Sequence, residues 1–101
     1  MKISEIGTDT RNIELVGTVI SIGEQREVDT RYGPAVVCDV IIDDGTGQIK
    51  WRLWRQQVNM VRVGDVVKIL NGFVRTFYGE KVLNLGTDGR ITVLSRSTEI
   101  K

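Results

Sequence analysis

The sequence predicts an all-β domain: a small, partly open barrel of five strands in a Greek-key arrangement, with a short helix between strands three and four. Three observations lead to this prediction. The apolar runs are rich in Val and Ile, which favour strands. Gly and other turn formers separate these runs. The stretch between the third and fourth runs lacks strand alternation.

The predicted elements follow the apolar runs in chain order. Strand one is long, and we expect it to bend near Gly17 or Gly23, where a missing side chain permits a bulge. In order, the elements are strand one over about residues 12–28, strand two over 35–43, strand three over 48–54, a short helix within 55–62, strand four over 65–77, strand five over 81–85, and a last extended piece over 90–94.

The stretch before strand four predicts a short helix. Val58, Met60 and Val61 would share one side of it, and Gly64 would end it. Three strands, a short helix and two strands form the OB-fold arrangement, in which the helix covers one end of the barrel. A plain antiparallel sandwich is the alternative, although five strands are few for it. At 101 residues, we expect one domain spanning residues 1–101.

The composition argues against several classes of protein. A single cysteine and no histidine disfavour an internal disulfide, a zinc site and a Ser-His or Cys-His nucleophile. Asp43 and Asp44 precede Gly in a turn and predict a hairpin rather than a metal site. We therefore expect no enzyme, no catalytic residue, no cofactor and no small-molecule substrate. The N-terminus lacks a signal-peptide pattern and no apolar run would span a membrane, so we expect a cytoplasmic, nucleoid-associated protein, or a nuclear one in a eukaryote.

Alternation on strand three separates two faces. Ile49, Trp51 and Leu53 form a core face, whereas Lys50, Arg52 and Trp54 share the other. An indole on a basic face indicates a ligand, because burying it would stabilise the fold more.

Strand four repeats this pattern. Leu70, Gly72 and Val74 are predicted to face inward, and Phe73, Arg75 and Phe77 outward. Rings beside cations suit a single nucleic-acid strand, whose unpaired bases stack on aromatic rings and whose phosphates attract positive charge. The net charge of only +1 means that the distribution of charge has to carry this argument.

The predicted site therefore combines rings with cations. Aromatic residues on strands more often belong to a core, and Trp51 is assigned there. Cys38, in alternation with Val36 and Val40, is likewise predicted to be buried. The candidate stacking residues are Trp54, Phe73 and Phe77; the candidate basic contacts are Lys50, Arg52, Arg55 and Arg75; the candidate loop contacts are Arg31, Tyr32 and Lys81.

Several segments resemble one family. The stretch from Asp43 to Trp54, with its acidic turn, Thr-Gly and a strand ending in Trp, is similar to OB folds of replication protein A and of archaeal single-stranded-DNA-binding proteins. Residues 63–67 (Val-Gly-Asp-Val-Val) resemble the family's entry to strand four, residues 71–79 its paired aromatics, and residues 3–6 its lead-in.

The resemblance implies a function and a set of stacking residues. It implies non-catalytic binding and protection of single-stranded DNA in replication, recombination and repair, with other replication or repair proteins as further partners. The positions matching Trp54, Phe73 and Phe77 would stack on bases. Asn84, a candidate polar contact to the DNA, stands where relatives often carry another aromatic, which implies either fewer stacked bases or a hydrogen bond in place of a stack.

Two other functions stay open at this point. A structural OB subunit of a heteromeric complex would bind protein through this face, although an aliphatic face would suit that better. An RNA- or tRNA-binding OB module would also use stacking, because specificity for the 2′-hydroxyl needs placed polar groups. The acidic C-terminal tail common among single-stranded-DNA-binding proteins is missing, so we expect either a domain of a longer protein or a subunit.

Overall fold

The computed structural model describes residues 1–96. Within them the chain forms six β-strands and two short 3₁₀ turns. The strands are β1 (Ile13–Ile22), β2 (Arg26–Thr30), β3 (Gly33–Asp43), β4 (Gln48–Trp54), β5 (Val66–Phe77) and β6 (Glu80–Ser95), and the 3₁₀ turns are Ile3–Glu5 and Arg55–Asn59.

Five of the strands close into a barrel, which confirms the predicted OB fold. The order β1-β5-β6-β4-β3 returns to β1 through a further β1–β3 pairing. The strand β1 pairs with β5 up to Thr18 and with β3 from Thr18 onward. Gly17 lies at this corner, where an added Cβ would be 2.8 Å from Cγ1 of Ile42. Glycine is needed here because a side chain would collide with Ile42 and with the carbonyl oxygen of Asp43, 3.0 Å from the added Cβ.

The predicted first strand is two strands, so its predicted extent was wrong. The chain leaves the barrel after Ile22, and the backbone N of Gly23 donates a 2.8 Å hydrogen bond to the carbonyl of Asp39. The strand β2 then pairs with the first half of β3, from Arg26 opposite Val37 to Thr30 opposite Gly33. The strand β2 is not one of the five barrel strands; together with β3 it forms a hairpin that extends beyond the barrel.

The predicted helix is a five-residue 3₁₀ turn, Arg55–Asn59, rather than an α-helix. Val58 and Val61 are 8% and 4% exposed and belong to the hydrophobic core. Met60 is 40% exposed, so its predicted place beside them was wrong. The tighter 3₁₀ winding, with Met60 N donating to the Gln57 carbonyl, changes which side chains share a side.

Alternation on β4 follows the prediction. Ile49, Trp51 and Leu53 are buried, and Lys50, Arg52 and Trp54 are half-buried on the opposite face. The core is built mainly of β-branched and leucine side chains around Trp51, which is fully buried.

The strand β3 breaks its alternation once. Cys38 and Val40 are buried as predicted, but Val36 is exposed, so its predicted alternation with Cys38 was wrong. The two consecutive residues Val37 and Cys38 are both buried, which shifts the inward positions by one residue.

The strand β5 also shifts its faces, at Asn71. Ile69, Gly72 and Val74 face inward, whereas Leu70 is half-buried on the outer side, so the inward prediction for Leu70 was wrong. The register with β6 is irregular between Leu70 and Gly72, and Asn71 has a left-handed φ of 58°. Such an irregularity breaks the two-residue period on which the prediction depended.

The predicted fifth strand and the final extended piece are one strand, β6. Its pairing with β5 skips residues 86–89, because Gly72 lies opposite Leu85 and Leu70 opposite Arg90. Within residues 1–96, no helix is both long and apolar enough to traverse a membrane.

The turn between β3 and β4 has a structural role. Oδ1 of Asp43 accepts a hydrogen bond from the backbone N of Gly45, and Asp44 accepts from Thr46 and from the backbone N of Ile3. Burial would raise the pKa of Asp44, but these hydrogen bonds outweigh it and lower the pKa below its ordinary value. Asp44 thus fastens the N-terminal 3₁₀ turn to the hairpin, and Asp43 orders the hairpin turn itself.

Candidate nucleic-acid interface

An open groove of about 760 Å³ crosses the outer surface of β4, β6 and β5. It extends to the tip of the β2–β3 hairpin and to the start of the second 3₁₀ turn. Its lining residues are Thr30, Arg31, Tyr32, Arg52, Trp54, Arg55, Gln56, Gln57, Phe73, Arg75, Phe77, Asn84, Leu85 and Gly86. We call this surface the aromatic groove.

The strand β6 separates the two ring-bearing strands and carries no ring between them. Val82 lies opposite Lys50 of β4 and Arg75 of β5, and Asn84 lies opposite Phe73. Val82 and Asn84 are 1% and 6% exposed. These shorter side chains leave space between β4 and β5, so the larger side chains on either side can form walls.

Trp54 is held at both its backbone and its ring. Its backbone N donates a 3.0 Å hydrogen bond to Oε1 of Gln57, in the 3₁₀ turn that follows directly. Its ring Nε1 donates a 3.0 Å hydrogen bond to Oδ1 of Asn84. Nδ2 of Asn84 in turn donates to the carbonyl of Val82 at 3.3 Å. The indole is therefore fixed in a half-buried position above β6.

Phe73 and Phe77 form the opposite wall, on β5. The guanidinium Cζ of Arg75 lies 5.5 Å from the Phe73 ring centroid, and Cζ of Arg52 lies 5.6 Å from that of Phe77. These distances are within the range of cation–π attraction. Phe77 is 44% exposed, which leaves much of its ring open to a partner.

Arg52 reaches the groove but is also bound to a carboxylate. Its Nε and Nη2 donate to the two carboxylate oxygens of Asp39 at 2.9 and 3.4 Å, and Arg26 lies 3.4 Å from the same carboxylate. Burial would raise the pKa of Asp39, but the Arg52 hydrogen bond and the nearby positive charges outweigh it and lower that pKa. Much of the Arg52 charge is thus already compensated.

Three groove cations form no ion pair with any of the described residues: Arg31, Arg55 and Arg75. All three are exposed. Arg55 has a left-handed φ of 56° and directly follows Trp54. These residues place uncompensated positive charge beside the rings, where a polyanion can meet it.

Two predicted lysines are directed elsewhere. Nζ of Lys50 lies 3.0 Å from Oε1 of Glu80, and Nζ of Lys81 donates a 2.9 Å hydrogen bond to the carbonyl of Ile6. Neither lysine lines the aromatic groove; both line a separate depression beside the N-terminal 3₁₀ turn. The structure thus brings the other nine predicted site residues together without these two.

The hairpin tip presents Tyr32 at one end of the groove. Oγ1 of Thr30 donates to the carbonyl of Gly33 at 2.7 Å and accepts from the backbone N of Tyr32 at 3.1 Å. The turn is therefore ordered by its own residues, while the Tyr32 side chain is 83% exposed.

Sequence reasoning missed several groove residues. Thr30, Gln56, Gln57, Leu85 and Gly86 line the groove although no pattern singled them out. The position of Gln57, three residues after Trp54, is a signal that could have indicated its contact with the Trp54 backbone.

The groove can bind a flexible chain that alternates flat rings with negative charges. Its rings face outward near unpaired guanidinium groups, and β6 contributes Asn84, Leu85 and Gly86 to its lining. A duplex offers its base faces to other bases, so only unpaired bases can stack here.

Comparisons with known proteins give independent information. Residues 8–93 match the model of a family described as "Single-stranded DNA binding protein Ssb-like, OB fold". The chain is 28% identical over 94 residues to the single-stranded DNA binding protein Ssb of Saccharolobus solfataricus, covering 93% of this chain and 64% of that protein. It is 30% identical over 95 residues to replication factor A of Methanothermobacter thermautotrophicus, covering 90% of this chain and 12% of that protein.

A solved structure also resembles the fold. The OB domain of a Thermoplasma acidophilum protein superposes with a TM-score of 0.82 at 24% identity, covering all of this chain and 92% of that one. At this level of identity the likeness supports the fold alone. The chain thus matches a whole solved OB domain but spans less than two thirds of either curated relative.

Proposed function

The chain belongs to the Ssb-like family of OB-fold single-stranded DNA-binding proteins, and from this premise we propose that it binds single-stranded DNA by stacking bases on Trp54, Phe73 and Phe77. Arg31, Arg55 and Arg75 meet the phosphates. The protein acts without catalysis, as one OB domain that protects single strands in replication, recombination and repair. Other replication or repair proteins are its further partners.

One observation carries the proposal: three rings from two strands line the same open groove together with unpaired cations. Trp54 comes from β4, and Phe73 and Phe77 come from β5, with the β6 floor between them. A groove that bound protein through apolar contact would not need unpaired cations in its lining.

The rings and the positive charges make separate contributions to the affinity for single-stranded DNA. Each stacked base contributes about 1–3 kcal/mol and imposes little sequence preference, because every base has a π-face. Each guanidinium that meets a phosphate releases counterions, which strengthens binding at low salt. Arg75, close to the Phe73 ring and unpaired, can serve both a stacked base and its phosphate.

Asn84 has a supporting part in this arrangement. Its carboxamide is used within the protein, with the oxygen on Trp54 and the nitrogen on Val82. We therefore assign Asn84 to orienting the indole, while Tyr32 and Arg31 at the hairpin tip approach the strand from one end.

A titration with oligo-dT, its duplex with oligo-dA, and oligo-U tests this function. We expect tight binding to oligo-dT and at least about tenfold weaker binding to the duplex, since stacking needs unpaired bases. Equal affinity for the duplex would refute the stacking mechanism. A clear preference for oligo-U would instead support an RNA-binding module, and no binding to any of the three would favour a protein-binding subunit.

A further inference from the structure

A second cleft, of about 370 Å³, opens beside the aromatic groove. The two share the side chains of Phe73 and Arg75, so Phe73 stands between them. The lining residues of the second cleft are Arg11, Asn12, Asn71, Gly72, Phe73 and Arg75. We call it the Arg11 cleft.

The backbone around the Arg11 cleft is fastened to the barrel. The backbone N of Val74 donates a 2.9 Å hydrogen bond to the carbonyl of Thr10, next to Arg11. Ile13, two residues further on, is fully buried and lies opposite Gly72. Contacts with the barrel core therefore fix the position of the segment that carries Arg11.

The cleft depends on features that are unusual for a strand pair. Asn12 and Asn71 both have left-handed backbones, with φ of 55° and 58°, and both side chains are exposed. Nδ2 of Asn71 donates to the carbonyl of Asp88 at 3.2 Å. Gly72 faces inward, and an added Cβ there would lie 2.9 Å from Cδ1 of the buried Leu83, so the core leaves no space for a side chain at this position.

The charge of this cleft suits a phosphodiester. Arg11 and Arg75 are exposed and form no ion pair with the other described residues. None of the six lining residues is acidic, and the two Asn carboxamides supply hydrogen-bond donors. A cleft with two cations, amide donors and no further ring fits the sugar–phosphate backbone of a nucleic-acid strand better than its bases.

We propose that the Arg11 cleft is a second segment of the nucleic-acid site, in which Arg11 and the amides of Asn12 and Asn71 hold the phosphodiester next to the nucleotide stacked on Phe73. This inference rests on the proposed function, since it needs a strand in the aromatic groove. The bound nucleic-acid strand then continues past Phe73 to the side of the barrel where β1 meets β5.

The test compares oligonucleotide lengths in the variants Arg11→Ala and Arg62→Ala. Arg62 is an exposed cation that lines neither cleft, and its substitution removes the same charge. Oligo-dT with one nucleotide per ring and no terminal phosphate fills only the three rings and leaves no phosphodiester beyond Phe73, whereas about twelve nucleotides exceeds the groove. Affinity is measured by titration of intrinsic fluorescence at several salt concentrations.

We expect Arg11→Ala to weaken binding of the longer oligonucleotide by about two- to fivefold, the usual range for an exposed ion pair. Its slope of log affinity against log salt should be flatter by about 0.7. Binding of the short oligonucleotide should be unchanged, and Arg62→Ala should match the parent protein with both lengths.

Other outcomes would overturn the inference. An Arg11→Ala protein that binds both lengths as the parent does would show that the strand does not reach the cleft, while the proposed function would stand. Equal losses with both lengths, or equal losses in Arg62→Ala, would assign Arg11 to a general charge effect. A parent protein that binds neither oligonucleotide would refute the proposed function itself.

Discussion

Trp54 and Asn84 are 30 residues apart in the chain, yet the indole Nε1 of Trp54 donates a 3.0 Å hydrogen bond to Oδ1 of Asn84. Trp54 ends β4 and Asn84 lies on β6, which runs parallel to β4. A ring that is to stack on bases gains from being held in place beforehand, because less freedom is then lost on binding. The buried carboxamide thus links the core of the barrel to its proposed binding surface.

Removing this hydrogen bond should loosen the ring. We expect Asn84→Ala to weaken oligo-dT binding by about 0.5–1.5 kcal/mol, the usual net contribution of one hydrogen bond. In a Trp51→Phe background, the fluorescence anisotropy of Trp54 should fall. Asn59→Ala, an exposed substitution outside the groove, is the matched control. A loss of affinity with unchanged anisotropy would mean that Asn84 contacts the base directly.

The dependence of binding on salt should report the unpaired cations. Arg31, Arg55 and Arg75 predict a slope of log affinity against log salt of about −2, at about 0.7 for each phosphate of a single strand, and Arg11 makes it about −3 with a long oligonucleotide. A steeper slope, near −4, would show that Arg52 and Lys50 leave their carboxylate partners to bind phosphate. A slope near zero would show that the groove cations do not meet the strand.

In the proposed complex, Asp39 competes with phosphate for Arg52. In Asp39→Asn the carboxylate that binds Nε of Arg52 is neutralised, so we expect tighter oligo-dT binding and a salt slope steeper by about 0.7. Unchanged affinity would indicate that Arg52 supports Phe77 and does not reach the strand. The parallel substitution Asp29→Asn, on the outer hairpin strand, controls for the change in net charge.

The same substitution should change the dependence of stability on pH. The pKa of Asp39 is lowered in the folded protein, so its contribution to stability is present above the pKa of an unfolded Asp, about 4, and is lost as pH falls through the lower folded value. Thermal unfolding should show Asp39→Asn as less stable than the parent at neutral pH, with the difference shrinking below about pH 4. A difference independent of pH would contradict this role.

The two tryptophans should differ in their contribution to stability. Trp51 is fully buried, so Trp51→Ala should lower the free energy of unfolding by about 3–5 kcal/mol. Trp54 is half-buried with one ring hydrogen bond, so Trp54→Ala should cost about 1 kcal/mol. Urea unfolding measures both, and a larger loss for Trp54→Ala would contradict the assignment of core and surface.

The strand faces that the sequence predicted correctly lie where strands alternate without interruption. The seven residues of β4 contain no bulge, so the separation of Trp51 from Trp54 followed from the two-residue period alone. On β5, Phe73, Arg75 and Phe77 lie after the irregularity at Asn71 and keep one face, whereas Leu70 lies before it and faces the other way from the prediction.

The remaining differences come from contacts between distant residues. Lys50 is directed to Glu80 and Lys81 to the carbonyl of Ile6, 75 residues away, and no local pattern contains either partner. The hydrogen bond between Trp54 and Asn84 likewise forms only when β4 and β6 lie side by side. Local periodicity predicts faces, while the partners of charged and amide groups depend on the closed barrel.

Stacking of bases on the ring of Trp54 can be measured by intrinsic fluorescence in two single-tryptophan variants. Trp51→Phe retains only the groove indole, and Trp54→Phe retains only the buried one; thermal unfolding first confirms that both are folded. On titration with oligo-dT, we expect strong quenching in Trp51→Phe, because a stacked base contacts the ring, and little change in Trp54→Phe. Quenching confined to Trp54→Phe, or equal in both variants, would contradict it.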